Sequence, residues 1–178
     1  MRYWWVNQNL EVPSAAAGSG REHIVRAVED GIESTIAANP ELRATEKEHL
    51  IKARRGQGLF RENVLAFEKQ CRISGVMDLQ FVIASHIKPW RVATNEERLD
   101  GENGLLLSPN SDLLLDRGFI SFDDDGALLI SPIADQECLH RMGIPIDIAV
   151  NVGEFSPKQR EYLAFHRRNV FLEAGKED

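Results

Sequence analysis

Apolar residues recur first at helical spacing and then at strand spacing, and the change falls near Cys71. Tyr3-Trp4-Trp5-Val6 reads as a short strand, and the small residues of 15–20 as a flexible linker. Ile24, Val25, Val28, Ile32 and Ile36 stand near helical spacing within 22–38, interrupted by Gly31. A second helical pattern begins at Pro40, where Thr45 and Glu48 have capping-box spacing, and Gly56-Gln57-Gly58 is expected to break it. Leu59, Phe60, Asn63, Val64 and Phe67 then predict an amphipathic helix ending before Cys71. Beyond it, Ser74-Gly75 is a turn, 79–87 a strand and 90–101 a polar loop. Asn103-Gly104 turns into a short strand, Leu105-Leu106-Leu107. Ser108-Pro109 starts a helix that Gly118 stops. Residues 118–130 predict a hairpin around Asp123-Asp124-Asp125-Gly126. Ser156-Pro157 opens a last helix through Phe171.

The composition is that of an ordinary globular chain of 178 residues, 43% hydrophobic and 28% charged. No apolar run approaches the roughly 18 residues that span a bilayer. Met1-Arg2-Tyr3-Trp4-Trp5 leads into polar residues, so no signal peptide is expected. Cys71 and Cys138 form no CxxC pair, which predicts a reduced, cytoplasmic setting without a structural zinc site. The net charge of −7 argues weakly against generic nucleic-acid binding, yet the charge is blocked. Residues 52–91 hold eight basic and three acidic side chains, and 92–155 three basic and thirteen acidic. Such blocks fit a basic surface beside an acidic pocket, or plain solvated charge.

His86 closes an apolar strand, in Ile83-Ala84-Ser85-His86-Ile87-Lys88-Pro89-Trp90. Alone it reads as a packed core histidine. The rest of the pattern points elsewhere. Cys71-Arg72-Ile73-Ser74-Gly75, the His86 stretch, Glu97-Arg98-Leu99-Asp100, the run from Asn103 to Pro109, and 116–122 together resemble the HNH endonucleases, in particular the restriction-related bacterial group. Residues 55–61 and 162–167 extend the resemblance to roughly 52–172.

The resemblance implies an α+β fold: a ββα-metal (HNH) nuclease core with a β-hairpin, preceded by N-terminal helices and closed by a C-terminal helix. The domains expected are an N-terminal extension over 1–51, a nuclease domain over 52–172 with its core at 71–122, and a tail at 173–178. The implied function is metal-dependent DNA endonuclease of restriction type. His86 is the expected base, because an imidazole titrating near neutrality suits proton abstraction from water. Asn103 matches the middle residue of the motif, which clips the loop between the strands and orients His86.

The third position departs from the family. A metal-ligating His is expected nine residues after the Asn, with a further ligand four later. Here those places hold Asp112 and Asp116, at i and i+4 of the predicted helix. Asn110 stands where relatives often carry an earlier His, and Ser85 where many carry Asp or His. Oxygen ligands from Asp112, Asn110 and Asp116 favour Mg²⁺ or Mn²⁺. Lys88, Arg91, Arg117, Arg55 and Arg61 are the candidate phosphate contacts. Trp90 is expected to pack on the loop, and Gln57 and Phe60 to anchor the preceding helix. His140 and His166 are read as structural or surface. The partner expected is DNA, with a homodimer as one arrangement for cutting both strands. The competing reading, from Ser85, Asn110 and the acidic block, is a catalytically weak or inactive DNA-binding module.

Overall fold

The computed structural model describes residues 34–35, 37–40 and 43–174, with the side chains of 46 and 48–55 outside that set. The strand read at 3–6, the linker at 15–20, the helix read over 22–38 except its helical residues 34–35 and 37–38, and the last residues of the tail lie outside the described residues. The chain divides into two units, Met1–Ile51 and Lys52–Asp178. In the first, Lys47 Nζ donates to the Ala37 carbonyl at 2.7 Å.

Helix α1 runs Ala44–Phe67 without interruption. This corrects the break expected at 56–58. Each glycine costs a helix about 1 kcal/mol, but the next turns bury Phe60 and Val64 four residues apart on one face. That burial outweighs local propensity. Thr45 lies inside the helix rather than at its cap. Gln57 is exposed, so Phe60 and Val64 anchor α1 without it.

Strand β1 is Ile83–His86, shorter than the strand expected from residue 79. Its partner β2, Gly104–Leu107, offers only four residues, in register from Ile83 opposite Leu107 to His86 opposite Gly104. The preceding segment turns instead. Asp78 accepts from the backbone N–H groups of Gln80 and Phe81 at 3.0 Å, and Arg61 holds the Leu79 and Val82 carbonyls. A one-turn 3₁₀ helix, Gly101–Asn103, leads directly into β2.

Helix α2, Pro109–Asp116, follows β2 after the expected Ser108-Pro109 start. Ser108 makes no side-chain cap; its hydroxyl pairs with that of Ser111 at 2.9 Å. Its N–H instead donates to Cys71 Sγ at 3.2 Å, tying the 71–75 turn to this junction. The second hairpin, β3 (Ile120–Phe122) with β4 (Leu128–Ile130), forms as the alternation predicts. Asp123 Oδ1 closes its turn by accepting from Asp125 and Ala127 N–H. A six-residue helix α3, Gln136–Arg141, was not anticipated, because it is too short to carry an apolar period. Helix α4, Pro157–Asn169, starts with a full capping box between Ser156 and Gln159 and ends two residues before Phe171.

The second unit is thus a mixed helix and strand structure with two small antiparallel hairpins. All of β2 is buried, and Leu105, Leu106, Leu107, Leu115, Ile120, Phe122 and Leu163 form the centre of its core. Among the described residues no helix is long and apolar enough to cross a membrane.

Candidate functional site

His86 is held at the end of β1 on two sides. Its ring stacks on Phe60, with centroids 3.6 Å apart and planes 6° from parallel. Its Nε2 stands 3.1 Å from the Arg98 carbonyl. A carbonyl only accepts, so Nε2 carries the hydrogen and Nδ1 of the neutral ring keeps its lone pair. Among the described residues no group bonds Nδ1. Burial lowers the pKa of His86 below the ordinary 6.5; the bond to Arg98 O opposes this and the Arg98 charge adds to it. The ring is therefore neutral at physiological pH, the state a base requires.

Asn103 is fully buried and uses its whole amide. Oδ1 accepts from Lys88 N–H at 2.8 Å, and Nδ2 donates to the carbonyls of Glu97 at 3.0 Å and Lys88 at 3.3 Å. The side chain therefore clips both ends of the 88–97 loop to the start of β2. Glu97 adds a second clip. Its carboxylate takes Lys88 Nζ at 2.7 Å on both oxygens and Thr94 N–H at 2.8 Å, and these bonds hold its pKa below the usual carboxylate value. Next in the chain, Arg98 presents the carbonyl that fixes His86. Its guanidinium lies 4.0 Å over the Trp90 ring and donates to the Trp90 carbonyl at 3.0 Å.

The α2 carboxylates sit on the other side of the hairpin. Successive strand side chains face opposite ways, so Ser85 points away from the His86 face. Ser85 is buried, with its hydroxyl close enough to Asp112 to favour the ionised carboxylate. Burial raises the Asp112 pKa above the usual carboxylate value, the Ser85 hydroxyl opposes this, and Asp116 repulsion adds to the rise. A carboxylate destabilised by burial and by a like charge is one that a cation would stabilise. Two carboxylates on adjacent helix turns suit a hard ion that retains waters. Asn110, on the first turn of the same helix, donates its Nδ2 to the Met142 carbonyl at 3.0 Å. Among the described residues no three His, Cys, Asp or Glu side chains converge as a metal cluster.

A histidine at a hairpin end, an asparagine clipping the intervening loop and acidic residues on the following helix make a pattern that can be tested against known families. The model of the HNH endonuclease family matches residues 71–123. The match covers under a third of the chain, and over that segment the chain is similar to this family. A search of curated proteins finds no match to the chain. The match points to nuclease activity with DNA as substrate, and HNH nucleases generally use divalent metal ions.

The HNH segment and its surroundings sort the candidate cations. Lys88 is committed to Glu97, with its ammonium 5.1 Å over Phe165, and Arg61 to backbone carbonyls of 79–82. Arg91 and Arg117 are exposed. The Arg55 side chain lies outside the described set. Two residues acquired roles that spacing did not reveal: Phe60, whose apolar period signalled only core, and Glu97, which stood in the motif without a visible partner. His140 is exposed. His166 is buried and saturated: Nε2 donates to Leu115 O at 2.9 Å and Nδ1 accepts from Ser121 Oγ at 3.0 Å.

Half-buried His86 and fully buried His166 both predict acid sensitivity. Burial, the largest influence on each, lowers the pKa of His86 and of His166 below 6.5. As pH falls through 6.5 the unfolded chain takes up these protons first, so folding stability falls with it. We expect Tm to drop between pH of about 7.5 and about 5.5 by an amount that calorimetry resolves. A flat Tm across that window contradicts the neutral state of both rings in the folded protein.

Proposed function

We propose that the chain is a metal-dependent DNA endonuclease of restriction type. The observation that carries this reading is the fixed Nε2 of His86, which leaves Nδ1 as a directed lone pair at the hairpin end. Hydrolysis of a phosphodiester needs an activated water, neutralisation of phosphoryl charge, and help for the leaving oxygen. His86 Nδ1 takes the proton from water. Asn103 and Glu97 hold the loop that presents Arg98 O and so keep His86 in place. Asp112 and Asp116 are the residues that would hold the ion. Bound there, a divalent ion supplies charge neutralisation at the phosphoryl and leaving oxygens. Arg91 and Arg117 supply exposed charge for the DNA backbone.

The test is plasmid nicking with Mg²⁺ or Mn²⁺. Cleavage should appear with either ion and vanish in EDTA. Asp112→Asn should raise the ion concentration for half-maximal nicking by at least about tenfold. An unchanged metal response removes Asp112 from the ion site. The second reading, a DNA-binding module without cleavage, is favoured by Ser85 and Asn110, which stand where the family carries acidic or histidine side chains, and by the acidic block over 92–155. It requires DNA binding that persists in EDTA and no nicking with any ion tried.

A further inference from the structure

The helix that precedes the HNH match reaches the proposed base. Phe60 is 3% exposed, and its ring lies flat on the His86 imidazole. Free aromatic rings prefer offset or edge-on contacts to a face-to-face pair. This stack is therefore set by how α1 packs. The packing depends on Gly104, the cross-strand partner of His86. A Cβ at Gly104 would collide with Val64 Cγ2 and lie 2.8 Å from Phe60 Cζ. The absent side chain opens the slot that Phe60 fills. On the same helix, Asn63 Nδ2 donates to the Leu99 carbonyl at 2.6 Å, next to the residue whose carbonyl holds His86. Helix α1 thus touches both the ring and the loop that fixes its nitrogen.

One hydrogen bond fixes where the Nε2–H points but leaves the ring free to swing about that bond. A flat aromatic wall removes this freedom. We infer that Phe60 is a positioning residue: its ring sets the plane of the His86 imidazole and so, together with the Arg98 carbonyl, the direction of the Nδ1 lone pair. This rests on His86 acting as the base. It also extends the working unit upstream of residue 71, where the family match begins.

The test combines spectroscopy with kinetics on the full chain. In the wild-type protein the carbon-bound ring protons of His86, assigned by their loss in His86→Gln, should be shifted upfield by the Phe60 ring current. Phe60→Met and Phe60→Leu fill the slot without a flat ring. Both should abolish that shift and lower kcat for nicking by about 10- to 100-fold, with the KM for DNA unchanged. Wild-type kcat in either folded variant overturns the inference. So does a wild-type spectrum without the ring-current shift, which decides the matter even where both variants misfold. Full activity in His86→Gln would sink the base assignment instead, and the ring-current measurement would still report the stack.

Discussion

His86→Ala should reduce metal-dependent nicking by about 10²- to 10⁴-fold, the usual contribution of a positioned general base. At about 1.4 kcal/mol per factor of ten, the loss is about 3–5 kcal/mol of transition-state stabilisation. The fold should survive, because the ring is only half-buried and makes a single hydrogen bond, to Arg98 O. Losing such a bond costs about 1 kcal/mol. His86→Gln sharpens the test. A glutamine amide can still donate to a carbonyl but has no basic nitrogen, so it should retain the melting behaviour and not the rate. Initial rates on supercoiled plasmid, with melting curves for each variant, separate the two effects. Activity within about threefold of wild type in either variant would falsify the base assignment.

Glu68→Ala should have the largest effect on stability, about 3–5 kcal/mol. Glu68 is 3% exposed, just past the end of α1. Its oxygens take Arg72 Nε and Nη2 at 2.6 Å each and Gln159 Nε2 at 2.9 Å. Arg72 also donates to the Val152 and Glu154 carbonyls and lies 5.0 Å over the Phe155 ring. Removing the carboxylate leaves the Nε and Nη2 donors of the half-buried Arg72 guanidinium, and the buried Gln159 amide, without this acceptor. That penalty is a large share of the 5–15 kcal/mol that holds a typical domain together. Glu68→Gln keeps an acceptor oxygen and should lose less. Urea titration should show a lower midpoint at unchanged slope. A loss below about 1 kcal/mol would mean that the network is solvated. The damage would reach the site, because the Arg72 N–H donates to the Leu106 carbonyl on β2, the strand opposite His86.

Local signals predicted the elements they control. Ser108-Pro109 and Ser156-Pro157 start helices at the expected residues, and the Asp-Gly turn at 123–126 closes the second hairpin. They failed where a distant contact outweighed them. The glycines at 56 and 58 signalled a break, but burial of Phe60 and Val64 carries α1 through. The apolar run from 79 signalled a longer strand. The ladder spans four residues, 83–86, and Arg61 takes the carbonyls before them.

The candidate site divides the same way. The order and spacing of His86, Asn103 and Asp112 are written in the chain, within the segment 71–123 that matches the HNH endonuclease model. The departures at Ser85 and Asn110 are also visible there. What each side chain touches is not. Lys88 and Arg61 read as phosphate contacts because a free cation and a paired one look alike in one dimension; folding pairs Lys88 with Glu97 and sets Arg61 on backbone carbonyls. Asn110 turns to Met142, 32 residues away, and Ser85, a departure by sequence, lies beside Asp112 and favours its ionised form. Phe60 has the spacing of any core residue, and only the approach of α1 across Gly104 lays it on the base. Sequence determines what depends on neighbours within a turn or two: caps, turns, periodicity and motif spacing. Tertiary structure alone decides which buried polar groups find one another, because those partners lie tens of residues apart and meet only when the core closes.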